Sequence, residues 1–369
     1  MNHLLIGAAQ ATHVRDYACS WERATATRPF ILSWAELAVP AALPELPPGP
    51  LLLRLASPTE GERAILASLG GAGVGIADVE AAPAVVAGLI QATALLESHL
   101  SRYGAVPCYA TPPQTLVALL DLELRHRCLS RDGVPAPGVW PIDSRGARLA
   151  YEAVRNQLRL SQGGRLILRL RRSLPPVPTV ELWLSGRGLR GRANCRFTPA
   201  GAARCPVHTM NEAELRPLVG RLGELGAVVE EAWTPAEIAG RPFVLSLLCA
   251  GGRILMGQVG PGSLWRVRGA PPEPGVPQDF SAMRRHVPRE LLSRIEEATA
   301  RLCRSQRCVG LVVDVALSRR FDDFRVLDID PFAELPGDLR DAVGWSAFDH
   351  LVRRVRTIPQ QEAQPAASR

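Results

Sequence analysis

The chain has 369 residues, 47% of them hydrophobic, with a formal net charge of +7, which is enough length and apolar content for two or three domains with real cores. Every one of its 43 basic residues is arginine, and the absence of lysine excludes a P-loop GK[ST] motif, a Schiff base and a pyridoxal-phosphate lysine. No uninterrupted apolar run approaches a membrane span, the start MNHLLIGAAQATHVRD lacks a basic leader, and eight scattered cysteines without a CxxC pair read as reduced thiols; the expectation is a cytoplasmic protein that does not engage a membrane.

In chain order, His3 to Gly7 reads as an apolar strand, His13 to Ala26 as a helix and Pro29 to Ser33 as a second strand, an opening suited to a parallel sheet. GAAQAT after the first strand lacks the GxGxxG fingerprint of a dinucleotide site. A Pro-rich connector, Pro40 to Pro50, leads to the strand LLLRLASP. A helix follows over Ser57 to Leu69, with Thr59 as cap and Glu60 and Glu62 at its positive end. Val85 to Tyr103 is a longer apolar-periodic helix whose stripe is expected to pack on the sheet. Ala105 to Pro113, with three prolines, marks the end of this first layer.

Gln114 to Arg131 reads as one helix, leading into the turn DGVPAPGVWPI. Arg165 to Arg171 is a strand alternating arginine with leucine or isoleucine. Arg169 on it is a candidate phosphate ligand, because guanidinium meets phosphate bidentately and never loses its charge; the other reading is a solvated strand face. Ser185 to Arg192, SGRGLRGR, reads either as a phosphate cradle built from Gly186, Gly188, Gly191 and three arginines or as an exposed hairpin tip. Asn211 to Leu225 reads as an amphipathic helix before GAVVEEAW, an apolar strand ending in Glu230, Glu231, Ala232 and Trp233, with Glu237 beyond. Pro271 to Pro277 is a proline-rich loop, Arg289 to Arg304 and Trp345 to Arg356 are helices, and the polar stretch Pro359 to Arg369 is expected to be disordered.

The densest chemistry lies between Arg307 and Gly337. Val309 to Leu317 is β-branched and apolar except for Asp314; Phe324 to Asp330 alternates and ends on Asp328 and Asp330, which share a face. With a turn over Arg319 to Asp323, Asp314 faces Asp328 across the hairpin. Opposed like charges destabilise a sheet, so the arrangement calls for a compensating cation, and hard oxygen donors suit Mg²⁺ holding phosphate oxygens.

This order of features, Pro turn, basic strand, strand ending in Glu-Glu-Ala-Trp and acidic hairpin closing on Pro-Phe, resembles the ATP-grasp superfamily over roughly Val106 to Arg356. The resemblance implies an α/β chain, α+β in its C-terminal part: a Rossmann-like N-terminal domain over 1–105, an ATP-grasp domain over 106–356 with subdomains near 145–235 and 236–356, and a tail over 357–369. It implies ATP and Mg²⁺ as cofactors, with Asp314, Asp328 and Asp330 for the metal, Arg169 for the phosphates, Glu230 or Glu231 with Ala232 and Trp233 for adenine, and Glu237 for the ribose. The implied activity is activation of a small-molecule or peptide carboxylate as an acyl phosphate and its capture by an amine. The chain departs from the pattern where Asp-Ile-Asp replaces Glu-x-Asn. It departs again where FVLSLLCAGG and ILMGQVG lack the arginines that hold acyl-phosphate oxygens, leaving Arg266 and Arg268 as candidate catalytic substitutes. Those losses leave open a degenerate ATP-grasp protein serving as a partner subunit. An arginine-rich nucleic-acid binder is disfavoured by an aromatic content of 5%, too sparse for base stacking.

Overall fold

The computed structural model describes residues 2–39, 43–46, 48–73, 76–142, 146–161, 164–174, 177–186, 188–199, 201–238, 240–261, 287–335, 339–341 and 343–356. Three sheets follow one another along the chain. The first is parallel, in the order β2-β1-β3-β4, from β1 (Asn2–Ile6), β2 (Phe30–Leu32), β3 (Gly49–Leu55) and β4 (Ala105–Tyr109). Residues along β1 and β3 are buried without alternation, as a sheet covered on both faces requires. Leu4, Ile6 and Leu53 pack with α2 (Trp34–Leu37), α3 (Glu60–Leu69) and α4 (Asp78–Arg102). Leu5 and Leu52 turn the other way, onto α1 (Thr12–Thr25) and a helix from the far end of the chain, described below. The expected α3 cap is present as a capping box, in which Thr59 and Glu62 satisfy each other's backbone N–H groups.

The end of the first layer, Ala105–Tyr109, is itself a strand; Pro107 fits because β4 is the sheet's edge, where a missing N–H costs nothing on the open side. One expectation is corrected here. The helix expected over Gln114 to Arg131 is two, α5 (Pro113–Leu120) and α6 (Leu122–Arg131). Asp121 separates them in extended conformation and caps α6, accepting from the N–H groups of Glu123 and Leu124 at 3.1 Å each. α4 begins at Asp78, earlier than expected. By length and composition it is apolar enough to cross a membrane, yet half of its most apolar window is buried against the rest of the fold.

The second sheet has six strands in the order β5-β10-β6-β7-β8-β9: β5 (Val139–Pro141), β6 (Arg165–Leu170), β7 (Thr179–Ser185), β8 (Gly188–Thr198), β9 (Gly201–Met210) and β10 (Ala227–Glu231). Leu166, Leu168 and Leu170 point to one face, where α7 (Ala147–Leu160) and α8 (Glu212–Glu224) cover them, so Ile167 and Arg169 share the opposite face. The edge strand β9 is closed by the first turn of α4: Glu80 accepts from Ala202 N at 2.8 Å and Asp78 from Arg204 N at 3.1 Å. Ser185 to Arg192 forms the β7–β8 hairpin tip, with Ser185 opposite Gly188.

The third sheet joins β11 (Glu237–Ile238), β12 (Arg241–Ala250), β13 (Arg253–Pro261), β14 (Gly310–Leu317) and β15 (Phe324–Asp330), with β12 between β13 and β14. One face, including Leu245, Leu247, Val313, Val315 and Ile329, packs on α9 (Arg289–Ser305). From the other face, Leu248, Ala250 and Val312 join the cluster that holds Leu5, Leu52, Tyr17 and α10 (Ala347–Arg356). A single apolar cluster thus binds the first sheet to the third.

Candidate functional site

Asp314 lies mid-strand in β14 and is 5% exposed. It stands opposite Asp328 on β15 and opposite Ser246 on β12, and Ser246 stands opposite Gln258 on β13. Four polar residues therefore cross four strands in one row, on the face turned away from α9. The opposition of the two aspartates depends on a register shift. Leu317 pairs Phe324 and Val315 pairs Val326, and then Leu327 is skipped so that Asp314 meets Asp328. The bulge lets Val326 and Ile329 both reach the core while Asp328 and Asp330 keep the other face.

The charges in this row are answered by named groups. Ser246 Oγ donates to Asp314 Oδ1 at 2.5 Å. Arg125 of α6 donates through Nη1 to Asp328 Oδ1 and is itself 8% exposed. Asp330 accepts from the N–H of Phe332 at 3.1 Å and of Glu334 at 3.3 Å, so both its oxygens hold the Pro331–Glu334 turn. Among the described residues no group of three or more His, Cys, Asp or Glu side chains gathers closely enough to enclose a metal ion. Asp314 and Asp328 form an opposed pair of hard donors, and Mg²⁺ is commonly held by one or two carboxylates together with substrate phosphates. The pair fits that form of site; Asp330 fits the role of a turn clamp.

On the second sheet, Arg169 of β6 is 8% exposed and Glu230 of β10 is 4% exposed. Arg169 pairs Val228 and Glu230 pairs Ile167, so the two are diagonal neighbours on one face, Nη1 3.4 Å from Oε2. Arg169 Nε and Glu230 Oε2 have no hydrogen-bond partner among the described residues, and a buried charged donor left unmet is costly. The charged arginine of the alternating strand is thus a buried one rather than part of a solvated face. Glu231 points outward, and its N–H binds Gly138 O at 2.9 Å. Ala232 is half-buried. The Trp233 ring lies 4.6 Å beneath the Arg325 guanidinium of β15, so this segment touches the third sheet. Glu237 is exposed and pairs with Arg319 of the β14–β15 turn at 3.5 Å.

The expected Pro turn fastens onto the hairpin. α6 ends at Gly133 with φ +62°, and Val134 N–H returns to Leu129 O, a left-handed C-terminal cap suited to glycine. Pro135 O then accepts from Val326 N at 2.8 Å. At the other end of α6, Asp121 accepts from Arg171 Nε and Arg172 Nε, each at 2.9 Å, tying the helix to the end of β6. Arg266 and Arg268 lie outside the described residues, as do Pro271 to Pro277 and Pro359 to Arg369.

Three positioning groups escaped the sequence reading. Asp121 and Arg125 were hidden inside one supposed helix. Arg54 of β3 is buried, donates to Phe332 O at 2.8 Å and lies 4.4 Å over the Tyr17 ring, pinning the turn that Asp330 clamps to the first sheet. Beside it, Glu334 accepts from Ser57 N at 2.8 Å and lies 3.8 Å from His13, and burial raises its carboxyl above the usual range. No local pattern marks these contacts, because each joins segments far apart in the chain.

No family model and no curated protein matches the chain. Among solved structures, the macrocyclase MdnC, bound with precursor peptide MdnA from Microcystis aeruginosa MRC, superposes with a TM-score of 0.56 at 9% identity, covering 97% of this chain and 100% of that one. The ATP-grasp ligase PsnB, complexed with a minimal precursor, gives 0.54 at 13% identity over 96% and 99%. The ADP complex of PurK, N5-carboxyaminoimidazole ribonucleotide synthetase, gives 0.55 at 11% identity over 96% and 76%. The chain has an ATP-grasp fold. Trp233, just beyond the six-stranded sheet that bears Arg169 and Glu230, packs under Arg325 of the sheet that bears Asp314 and Asp328. Other structures of PsnB carry Mg and ADP, or AMPPNP with its precursor peptide.

Proposed function

We propose that this ATP-grasp chain is an ATP- and Mg²⁺-dependent ligase that activates a carboxylate for attack by an amine. The observation that carries the reading is the opposed pair Asp314 and Asp328, set by a bulge into one polar row. Support comes also from the fold, which spans nearly the whole chain in one neighbour described as an ATP-grasp ligase and another described as a macrocyclase. Arg169 is the phosphate anchor: its charge is permanent, it is buried, and its Nε lacks a partner that a phosphate oxygen would supply. Ala232 and Trp233, with Glu230, hold the nucleoside end, and Glu237 exchanges Arg319 for a ribose hydroxyl. Arg266 and Arg268 remain the candidates for holding acyl-phosphate oxygens.

In this scheme a carboxylate oxygen of the substrate attacks the γ-phosphorus of ATP, the bond to the β-phosphate oxygen breaks, and ADP leaves. An amine then attacks the acyl carbon, phosphate departs and a proton is lost from nitrogen, leaving an amide. Bound Mg²⁺ supplies charge neutralisation between the phosphates. The protein's part is alignment and electrostatic stabilisation. A second reading, a nucleotide-binding partner without turnover, is favoured by Ser246 and Gln258, neutral residues on the strands where arginine holds the acyl phosphate in the resembling family. Calorimetric titration with Mg²⁺-ATP followed by ADP release against a panel of carboxylates and amines separates them. Binding with turnover supports the ligase, binding without turnover on any pair supports the partner, and no binding sinks both.

A further inference from the structure

Resting on the ligase reading, we propose that Arg125 is the anion-binding arginine of this site, stored on Asp328 until a divalent cation arrives with nucleotide. The polar row Gln258, Ser246, Asp314 and Asp328 contains two carboxylates and no cation of its own. Arg125 supplies one from outside the sheet. Its helix is fixed at both ends, by Asp121 to Arg171 and Arg172 and by Pro135 O to Val326 N, so the guanidinium is delivered to the hairpin from a rigid mount. The side chain of Asp328 keeps 23% of its surface open, which leaves this carboxylate approachable while its partner is buried.

A guanidinium cannot deprotonate, so its charge at Asp328 is permanent. A dication taking both aspartates would stand beside that charge, and repulsion between them opposes binding of metal alone. Phosphate oxygens arriving with the metal reverse the balance, because the displaced guanidinium gains a bidentate anion in place of Asp328. Arg125 thereby makes metal binding depend on nucleotide. It also places a fixed positive charge beside a row whose strands offer Ser246 and Gln258 instead of arginine.

The test is Mn²⁺ binding, followed by the electron paramagnetic resonance of the free ion, with and without ADP. In the parent protein Mn²⁺ alone should bind weakly and ADP should tighten it. Arg125→Gln should bind Mn²⁺ alone about tenfold more tightly, since a neighbouring unit charge is gone, and should bind ADP in saturating Mn²⁺ about tenfold more weakly. A Gln variant indistinguishable from the parent in both titrations overturns the proposal. A second measurement avoids removing the charge. The arginine Nε–H resonance that Arg125→Lys abolishes should shift when Mg²⁺ and ADP are added together to the parent and stay in place with ADP alone; a resonance unmoved by both together overturns the proposal. If the parent binds neither Mn²⁺ nor ADP, the ligase reading fails and takes this inference with it; if it binds both and Arg125 proves indifferent, only this inference falls.

Discussion

Arg169 and Glu230 face each other diagonally across β6 and β10, both more than nine-tenths buried, with 3.4 Å between Nη1 and Oε2. Such a pair is weakly stabilising as a whole, but removal of one member strands the other in a medium that cannot solvate it. Arg169→Ala should therefore cost about 3 kcal/mol of stability in urea unfolding. It should also weaken ATP by roughly ten- to a hundredfold while leaving adenosine little changed, since a charge-assisted phosphate contact contributes about 1.5 to 3 kcal/mol. Equal loss for ATP and adenosine, read by calorimetry, would assign Arg169 a purely structural role.

Asp328 and Asp330 are adjacent on one face yet do different work, so their amide variants should diverge. Asp328→Asn keeps an acceptor for Ile329 N but takes the charge from the buried Arg125, so it should reduce Mg²⁺-dependent nucleotide binding and lower stability through that ion pair, leaving the Pro331–Glu334 turn in place. Asp330→Asn gives up one of two acceptors that hold the Pro331–Glu334 turn. It should destabilise the nucleotide-free protein by about 1 to 3 kcal/mol. Calorimetric titration of Mg²⁺-nucleotide into the two variants checks this, and an equal loss of nucleotide binding in both would contradict the division.

Saturation with Mg²⁺-ATP should raise stability by about 2.7 kcal/mol at a ligand concentration 100 times the dissociation constant. Differential scanning fluorimetry across a nucleotide series reads it. A melting temperature that ignores millimolar Mg²⁺-ATP would remove the basis for every nucleotide role assigned above.

His3 supplies a pH prediction. Its Nδ1–H donates to Leu52 O at 3.0 Å, its ring stacks 4.1 Å from Trp21, and burial lowers its pKa from 6.5 to about 3. The folded chain thus keeps the imidazole neutral where the unfolded chain protonates it. This contribution is intact above pH 6.5 and drains as pH falls from there toward 3, at up to about 1.4 kcal/mol per pH unit. His3→Gln, which keeps a donor and does not titrate, should show a shallower stability loss over that interval in urea melts at stepped pH. Parallel pH profiles for parent and variant would refute it.

Much of the ATP-grasp fold was readable because local signals coincide: buried β1 and β3, the Thr59 and Asn211 caps, and the order of Pro turn, basic strand and acidic hairpin. The facing of Asp314 and Asp328 was legible too, but the route to it was not. The turn is one residue longer than expected and the bulge at Leu327 compensates, a trade made by Val326 and Ile329 seeking the core. Pro107 concealed β4, because a proline in an edge strand looks like a loop proline. Asp121 concealed the break between α5 and α6, because a lone aspartate between two apolar-periodic stretches reads as a helix-surface residue until its bonds to Glu123 N and Leu124 N are seen. Arg125 and Arg54 reach Asp328 and Phe332 through space alone; among 43 identical cations, only the three-dimensional arrangement says which one is delivered where.

The helix α10 completes the first sheet: Phe348 meets Tyr17 edge-on at 5.9 Å, and Leu351 and Val352 lie in the cluster with Leu5 and Leu52. A nascent chain emerging from the ribosome therefore exposes an unfinished apolar face on β1 and β3 until α10 appears. At roughly 5 to 20 residues per second that interval lasts tens of seconds. Throughout it that face of β1 and β3 stays uncovered, and truncations that remove α10 should lower solubility by exposing it.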